Sequence, residues 1–470
     1  MGFAIFIVNS MHNSTKGQFP FKGKVLHNFM IGGGSMEGMK IAVIGGGSSY
    51  TPELIHGIIQ RIEEFPVREI ALVDVEEGQW KLDIIRELSL RMLKKHNIKI
   101  KITSTLNRKE AIKDADFVVT QFRVGGLKAR LKDETIPLKY NLIGQETTGV
   151  GGFTKALRTI PVILDICKDI SELAPNAFLI NFTNPAGIIT ETILNYTKVK
   201  AIGLCNVPIT MKNNISKLLE VEASRIKIDF LGLNHMVYGK AVYLDGENIT
   251  KDMIYRLSKG ASINMNNIPD LKWDEEFLKS LNMIPCPYHR YFYMKDEILK
   301  EQLEEIKNGH GTRAKQVMEI ENKLFKIYDD EKLDEKPAEL DKRGGAYYSE
   351  AAVSLMSAIY NDKNEIHTVN IKNNGSILDL PNNSVIETNA IVNKNGTTPI
   401  SSGNLPNSIK GLVQQVKAYE TLTVEAAVKG DYNTAFLALI NNPLGGSIDI
   451  TKKLLKDILH ENKKYLPQFK

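Results

Sequence analysis

KIAVIGGGSSYTPEL, residues 40–54, is an apolar, β-rich run that stops on three consecutive glycines and resumes with helix-forming residues. Ile41 to Ile44 has the composition of a buried strand, and Gly45, Gly46 and Gly47 form the turn that follows it. Pro52 suits the first turn of a helix, so unpaired N–H groups and the positive end of the helix dipole point back at the glycines. Such a strand, turn and helix make an anion site. Gly45, Gly47, Ser48 and Ser49 are the candidate contacts to a pyrophosphate. The dinucleotide fingerprint is incomplete, because Tyr50 stands where a third glycine normally allows close helix–strand packing.

Working outward, strand and helix patterns alternate. A helix over about 52–63 is followed by the apolar strand EIALVDV at 69–75, an amphipathic helix over 79–96, a strand over 98–106, a short helix, and a strand over 115–122. Residues 123–153 are polar and glycine-rich and read as a long functional loop. A helix over 154–173, a strand over 177–183, a helix over 185–196, a strand over 200–204 and a helix over 209–220 continue the series. This predicts an α/β fold with a Rossmann-type, doubly wound parallel sheet of the lactate/malate dehydrogenase kind. Asp74, closing the second strand somewhat more than ~20 residues past the glycines, is the candidate carboxylate for the adenosine ribose and favours NAD over NADP. The alternative for the turn and Asp74 is a structural βα connection with a surface aspartate.

Beyond residue 225 the pattern changes to antiparallel strands, with long helices over 312–328 and 346–360, strands over 367–377 and 385–392, and a helical end. The expected organisation is a disordered or mis-assigned extension at 1–38, with Met36 and Met39 as candidate starts, a nucleotide-binding domain at 39–205, and an α+β domain at 206–470.

Composition narrows the class. With 43% hydrophobic and 24% charged residues and a net charge of +5 over 470 residues, the chain reads as an ordinary globular enzyme with no basic field for nucleic acid or membranes. The apolar run from Phe3 to Val8 is too short, and lacks the basic flank, for a signal peptide or membrane span. Three widely spaced cysteines, Cys167, Cys205 and Cys286, fit a reducing cytoplasm rather than a disulfide framework.

Several residues could carry chemistry, each beside a plainer reading. Asn184, in NFTNP after a strand, could bond a sugar or ribose, or cap the helix that follows. Cys205 in GLCNVP and His235 in GLNH could ligate a soft or borderline metal, or be a buried thiol and a hydrogen-bonded histidine. Tyr288, in the aromatic cluster PCPYHRYFYM, serves as a base only if neighbouring positive charge lowers its pKa from ~10, and is otherwise core. Arg130, Arg313 and Lys128 have no sequence context that joins them, and Glu146 in the polar loop could assist a base or be exposed.

Taken in order, KIAVIGGGSSYTPEL, FRVGGLKAR, IPLKYNLIGQETTGVGGF, NFTNPAG, IGLCNVP, GLNH, PYHRYFYM and RGGAYYSEAA resemble glycoside hydrolase family 4, the NAD- and divalent-metal-dependent glycosidases, and within it the 6-phospho-β-glucosidases. The resemblance runs from Lys40 nearly to the end of the chain. It implies hydrolysis by oxidation at C3 of the sugar, removal of the acidified C2 proton, elimination of the C1 substituent, addition of water and re-reduction, rather than the two-carboxylate route.

On this resemblance Cys205 and His235 are the metal ligands, with Mn2+ the expected ion. Tyr288 is the C2 base and Glu146 the acidic residue that raises its basicity. Arg130, Asn184 and Arg313 are substrate contacts, the arginines suited to a 6-phosphate, and Arg123 is a further candidate. In the 6-phospho-α-glucosidases an aspartate follows the metal cysteine; here the residue is Asn206, which with the VGGLKAR wording points to β-linked substrates and leaves the leaving-group acid unassigned.

The expected protein is therefore a cytoplasmic 6-phospho-β-glucosidase acting on a phosphorylated disaccharide or β-glucoside such as cellobiose 6-phosphate, assembled as a homodimer or homotetramer. The rivals are another family 4 glycosidase of the 6-phospho-α-glucosidase or α-galactosidase type, a lactate/malate-type dehydrogenase, and a non-catalytic NAD-responsive binding protein.

Overall fold

In β1 (Met39–Ile44) apolar side chains alternate between two faces: Ile41 and Val43 enter one hydrophobic core, Ala42 and Ile44 another. A strand buried on both sides belongs at the centre of a covered sheet, and β1 occupies that place. The computed structural model describes residues 38–265, 267–343 and 347–469. The expectation for the N-terminal extension lies, up to residue 37, outside the described residues.

After β1 the chain runs through α1 (Thr51–Gln60), β2 (Val67–Val73), α2 (Gln79–Lys95), β3 (Lys101–Thr105), α3 (Arg108–Ile112) and β4 (Phe117–Thr120). It continues through α4 (Gly126–Leu138), α5 (Gly149–Leu173), β5 (Phe178–Asn181), α6 (Ala186–Tyr196), β6 (Lys200–Gly203) and α7 (Val207–Leu219). The strands pair in parallel in the order β3-β2-β1-β4-β5-β6, which is the dinucleotide-binding arrangement with its crevice at the carboxyl ends of the strands. Leu54, Ile55 and Ile58 of α1 and Leu82, Ile85 and Leu88 of α2 cover one face; Phe153, Leu157 and Ile160 of α5 and Ile189 of α6 cover the other.

The second half begins with an antiparallel unit, β7 (Ile226–Leu233), β8 (Met236–Leu244), β9 (Glu247–Asn248), α8 (Thr250–Ser258), α9 (Glu275–Leu281) and β10 (Ile284–Pro285), in which β8 pairs with β7, β9 and β10. Helices α10 (Arg290–Tyr293), α11 (Lys295–Lys307), α12 (Arg313–Tyr328) and α13 (Tyr348–Tyr360) follow. Then β11 (Glu365–Lys372), β12 (Val385–Asn393) and β13 (Gly396–Pro399) return to the first sheet, β11 meeting β6 antiparallel through Asn370 and Gly203. Helices α14 (Asn407–Lys429), α15 (Tyr432–Asn441) and α16 (Ile448–Glu461) complete the core beneath α5. The described residues from Gly38 onward form one compact unit, and the change of pattern near residue 205 does not interrupt the sheet, because strands from both sides of it are hydrogen-bonded together.

Residues 123–153 are not a loop. They contain α4 and the first turn of α5, joined by a short segment. The buried residues of α4 mix Ala129, Ile136 and Leu138 with Arg130, Asp133 and Glu134, so charged side chains interrupt the apolar stripe and blur its helical period. Asp133 is gripped by the fully buried Arg158 of α5, with Nη1 to Oδ1 at 2.7 Å and Nη2 to Oδ2 at 2.5 Å. Removing one partner of such a pair costs about 3–5 kcal/mol, which fixes α4 on α5.

Candidate active site

The glycine turn closes on the ends of its neighbours. Gly45 has φ +87, and a Cβ there would lie 3.0 Å from the backbone of Gln121; one on Gly46 would lie 2.8 Å from Leu72 Cβ. The Asp74 carboxylate fills the space beside Gly47 and Gly78: Cβ atoms on those glycines would sit 2.8 and 2.7 Å from its oxygens. Asp74 accepts from the Gly47 N–H at 2.9 Å and the Val75 N–H at 2.9 Å, and burial raises its pKa. Only residues without side chains fit this turn, which packs directly on Gln121, Leu72 and Asp74, and its tight strand–turn–helix form fits a dinucleotide site. Ser49 is buried, its carbonyl accepting from Tyr328 Oη at 2.9 Å, which ties α12 to the turn. Ser48 orders the approach to α1, its Oγ accepting from the Tyr50 N–H at 3.3 Å.

The turn between β7 and β8 holds Asn234 and His235, with His235 in a left-handed conformation at φ +61. The imidazole is buried and stacks on the Tyr288 ring, centroids 3.7 Å apart and planes 7° from parallel. Its Nδ1 shares a hydrogen bond with Thr147 Oγ1 at 3.2 Å. Burial, reinforced by the charge of Lys155, lowers the His235 pKa to about 3, so the ring is neutral and keeps a lone pair for a ligand. Cys205 follows β6; its Sγ accepts from the Val207 N–H at 3.5 Å and from the Asn234 side chain. Burial, then the Glu387 carboxylate, push the Cys205 thiol well up.

One sulfur and one imidazole nitrogen suit a borderline divalent ion, and two protein donors leave positions for oxygen ligands. Among the described residues no cluster of three or more His, Cys, Asp or Glu side chains could hold a metal. An ion held by this pair therefore takes its other donors from a ligand or water. The Tyr288 phenol is raised by burial first, then by Cys205 and Glu146, while a hydrogen bond to Thr147 opposes them.

Glu146, between α4 and α5, sits among cations: it pairs with Arg123, with Arg130 Nη1 at 2.9 Å and with Lys155 Nζ at 3.5 Å. Burial lowers Lys155 to about 7, with Arg123 adding to the effect and Glu146 opposing it. Burial also works against the charge on Arg130, but Glu146 and Glu134 outweigh it and keep the guanidinium ionised. Arg313 opens α12 and donates from Nη1 to Gln316 Oε1 at 2.8 Å. Lys128, two residues before Arg130 on α4, is exposed.

Asn184 precedes Pro185 in a cis peptide, and its Oδ1 accepts from the Ala186 N–H at 3.3 Å, so it holds the start of α6 at the carboxyl end of β5. Asn206 is half-buried at the N-cap of α7, next to Cys205. The sequence reading did not single out Thr147, Lys155, Asn234, Glu134 or Glu387. Thr147 lies within the motif IPLKYNLIGQETTGVGGF, Lys155 two residues past its end, and Asn234 in GLNH, so nearness to these motifs was their signal. Glu134 had only its place in the polar stretch 123–153, and Glu387 had none.

Similarity to known proteins bears on this arrangement. The family 4 glycosyl hydrolase model matches residues 40–221, and the model of the family 4 glycosyl hydrolase C-terminal domain matches residues 230–445. The chain belongs to glycosyl hydrolase family 4. It is 52% identical to a Bacillus subtilis (strain 168) protein named "probable 6-phospho-beta-glucosidase", over 92% of this chain and 98% of that one. It is 44% identical to the 6-phospho-beta-glucosidase of Escherichia coli (strain K12), over 92% of this chain and 97% of that one. The solved structure of the 6-phospho-beta glucosidase from Thermotoga maritima with manganese, NAD+ and glucose-6-phosphate superposes with a TM-score of 0.83 at 38% identity, covering 91% of this chain and 99% of that one.

Proposed function

We propose that this protein is a 6-phospho-β-glucosidase that requires NAD+ and a divalent metal ion, Mn2+ first among candidates, and hydrolyses phosphorylated β-glucosides such as cellobiose 6-phosphate. The observation that carries the reading is 52% and 44% identity, over nearly whole chains, to relatives named for that activity. The neutral imidazole and thiol at the crevice, beside a stacked tyrosine and a cation cluster, support it.

Gly45, Gly47, Ser48 and Ser49 would hold the pyrophosphate and Asp74 the adenosine ribose, whose 2′-phosphorylated form its charge would repel. Cys205 and His235 would hold the metal. When bound, NAD+ supplies a reversible hydride acceptor for a sugar carbinol, and the metal supplies positive charge beside the sugar oxygens.

Tyr288 Oη takes the C2 proton. Burial keeps that phenol protonated in the protein alone, so its use as a base depends on a cation at Cys205 and His235. Glu146, held by Arg123, Arg130 and Lys155, places a fixed negative charge that strengthens the phenolate's hold on the proton. Arg130 and Arg313 bind the 6-phosphate, for which forked guanidinium donors are suited. Asn184 and Asn206 face the sugar. The amide of Asn206 has no acidic proton to give, so the leaving-group acid is not this residue.

In this reading residues 39–205 form the nucleotide part and residues 206–470 bring His235, Tyr288 and Arg313 to it. The protein acts in the cytoplasm on a small molecule, as a homodimer or homotetramer, with no nucleic acid or membrane partner. Among the described residues no helix is long and apolar enough to cross a membrane.

The test is a panel of chromogenic α- and β-glucosides, with and without 6-phosphate, NAD+ and Mn2+. Turnover of the β-linked 6-phosphate alone, dependent on both additions and with no net NADH, is expected. Hydrolysis confined to an α-linked or unphosphorylated substrate, or stoichiometric NADH release, would overturn the reading.

A further inference from the structure

One buried carboxylate links an arginine assigned to the sugar phosphate to the backbone beside the other, although the two lie on separate elements far apart in the chain. Glu134 of α4 has a side chain only 3% exposed, and each of its oxygens has a different task. Oε1 accepts from Arg130 Nε at 2.8 Å, one helical turn away on the same helix. Oε2 accepts from the Ala314 N–H at 2.7 Å, in the first turn of α12, whose first residue is Arg313.

We propose that Glu134 is the positioning residue that sets Arg130 and Arg313 as a single phosphate clamp. This rests on the reading of those two arginines given above. An arginine whose Nε is held by a carboxylate loses its freedom to rotate about the guanidinium stem, and Arg130 is held a second time, through Nη1, by Glu146. Its planar fork is thus presented in one orientation, with the remaining members of its five donors left for an anion.

The first amides of a helix have no partner within it, and the dipole favours negative charge there. Glu134 meets this need at α12, so the helix start, and with it the Arg313 backbone, is tied to α4. α4 is in turn locked to α5 by the Arg158–Asp133 pair. A carboxylate near an anion site opposes phosphate by charge alone, so its presence between two phosphate-binding arginines makes sense as geometry rather than as attraction.

Glu134→Gln tests this, because the amide offers only one acceptor oxygen and turns N–H groups toward the second donor. Glucose 6-phosphate and glucose are titrated against the NAD+-loaded protein, and KM and kcat are measured on a chromogenic 6-phospho-β-glucoside. The expected result is a rise of about tenfold or more in Kd for glucose 6-phosphate and in KM, with kcat within about threefold and the NAD+ and glucose affinities unchanged. If E134Q does not fold, Glu134→Asp carries the test: it keeps the charge but is one methylene too short to reach both donors, and the same direction of change is expected.

A merely structural role would lower NAD+ binding and kcat along with KM, and that result, or a Kd within about twofold of the parent, overturns the proposal. Arg130→Met and Arg313→Met are measured alongside. If they weaken glucose 6-phosphate and E134Q does not, only the role of Glu134 falls; if neither changes discrimination between phosphorylated and unphosphorylated sugar, the clamp itself is misassigned.

Discussion

His235 and Tyr288 lie face to face, their ring centroids 3.7 Å apart and their planes 7° from parallel, so the proposed metal ligand and the proposed base form one stacked unit. Replacing Tyr288 by Phe preserves the stack and removes only the hydroxyl. Turnover should fall by at least ~100-fold, the lower range for losing a general base, while NAD+ titration gives an unchanged Kd. Near-normal turnover would remove Tyr288 from the mechanism.

Cys205 is buried and its thiol is raised, so in metal-free protein it is a poor nucleophile. Alkylation by iodoacetamide at neutral pH, followed by peptide mass analysis, should leave Cys205 unmodified under native conditions and label it after denaturation. Chelation should stop turnover and added Mn2+ restore it. Cys205→Ser should weaken Mn2+ binding by at least ~10-fold, since loss of even an outer partner costs that much. Indifference to chelator would count against the assignment.

Glu387 gives a pH test independent of catalysis. Its Oε1 accepts from Asn370 Nδ2 at 2.8 Å and from Asn234 Nδ2 at 3.4 Å, and burial raises its pKa from 4.5 to about 7. Between those values the folded protein holds a proton that the unfolded chain has released, so this group's contribution to stability is present below the lower value and lost as pH rises through the upper one. In Glu387→Gln the amide oxygen can still accept both bonds and the titration is gone. Denaturant unfolding of metal-free protein should show the variant level with the parent at pH 4.5 and more stable by roughly 3 kcal/mol at pH 8. Taking the difference between the two proteins cancels the histidines that titrate in the same range. Equal stability at both pH values would show that Glu387 is ionised in the fold.

Two glycines should respond to the same substitution in opposite directions. A Cβ on Gly151 would lie 2.1 Å from the Gln145 carbonyl oxygen and 2.7 Å from that of Asp133, both backbone atoms that cannot move without disturbing the Glu146 segment. Gly411, within α14, has nothing within 4 Å of such an atom. Gly151→Ala should cost on the order of 3 kcal/mol and reduce activity. Gly411→Ala should add about 0.5–1 kcal/mol, because alanine has less backbone entropy to lose in a helix. Thermal unfolding of both variants checks the pair.

The parallel sheet was legible because its strands are buried on both faces and its helices have one apolar stripe; periodicity reports both. α4 was not, since Arg130, Asp133 and Glu134 share its buried side with Ala129, Ile136 and Leu138, and a rule that equates burial with apolarity reads such a helix as a loop. The return of β11 to β6 was equally hidden: that contact runs through Asn370 and Gly203, and no local pattern records a partner so distant in the chain. His235, Tyr288 and Cys205 were found as members of motifs. What made them a group, the stacking, the shared Thr147 and the Asn234 bond, is tertiary.

That late closure of the sheet bears on how the chain is made. β6 leaves the ribosome with its outer edge bare, and at the usual ~5–20 residues per second β11 arrives roughly ten to thirty seconds later. Throughout that interval the nascent protein displays an unpaired β-strand beside an almost finished nucleotide fold, the kind of edge on which neighbouring chains seed aggregates. The short strand β13, ending at Pro399, finally blunts the border. Until β11 is made, that edge has only its short length to keep other chains away, a hazard to which the stability of the completed fold contributes nothing.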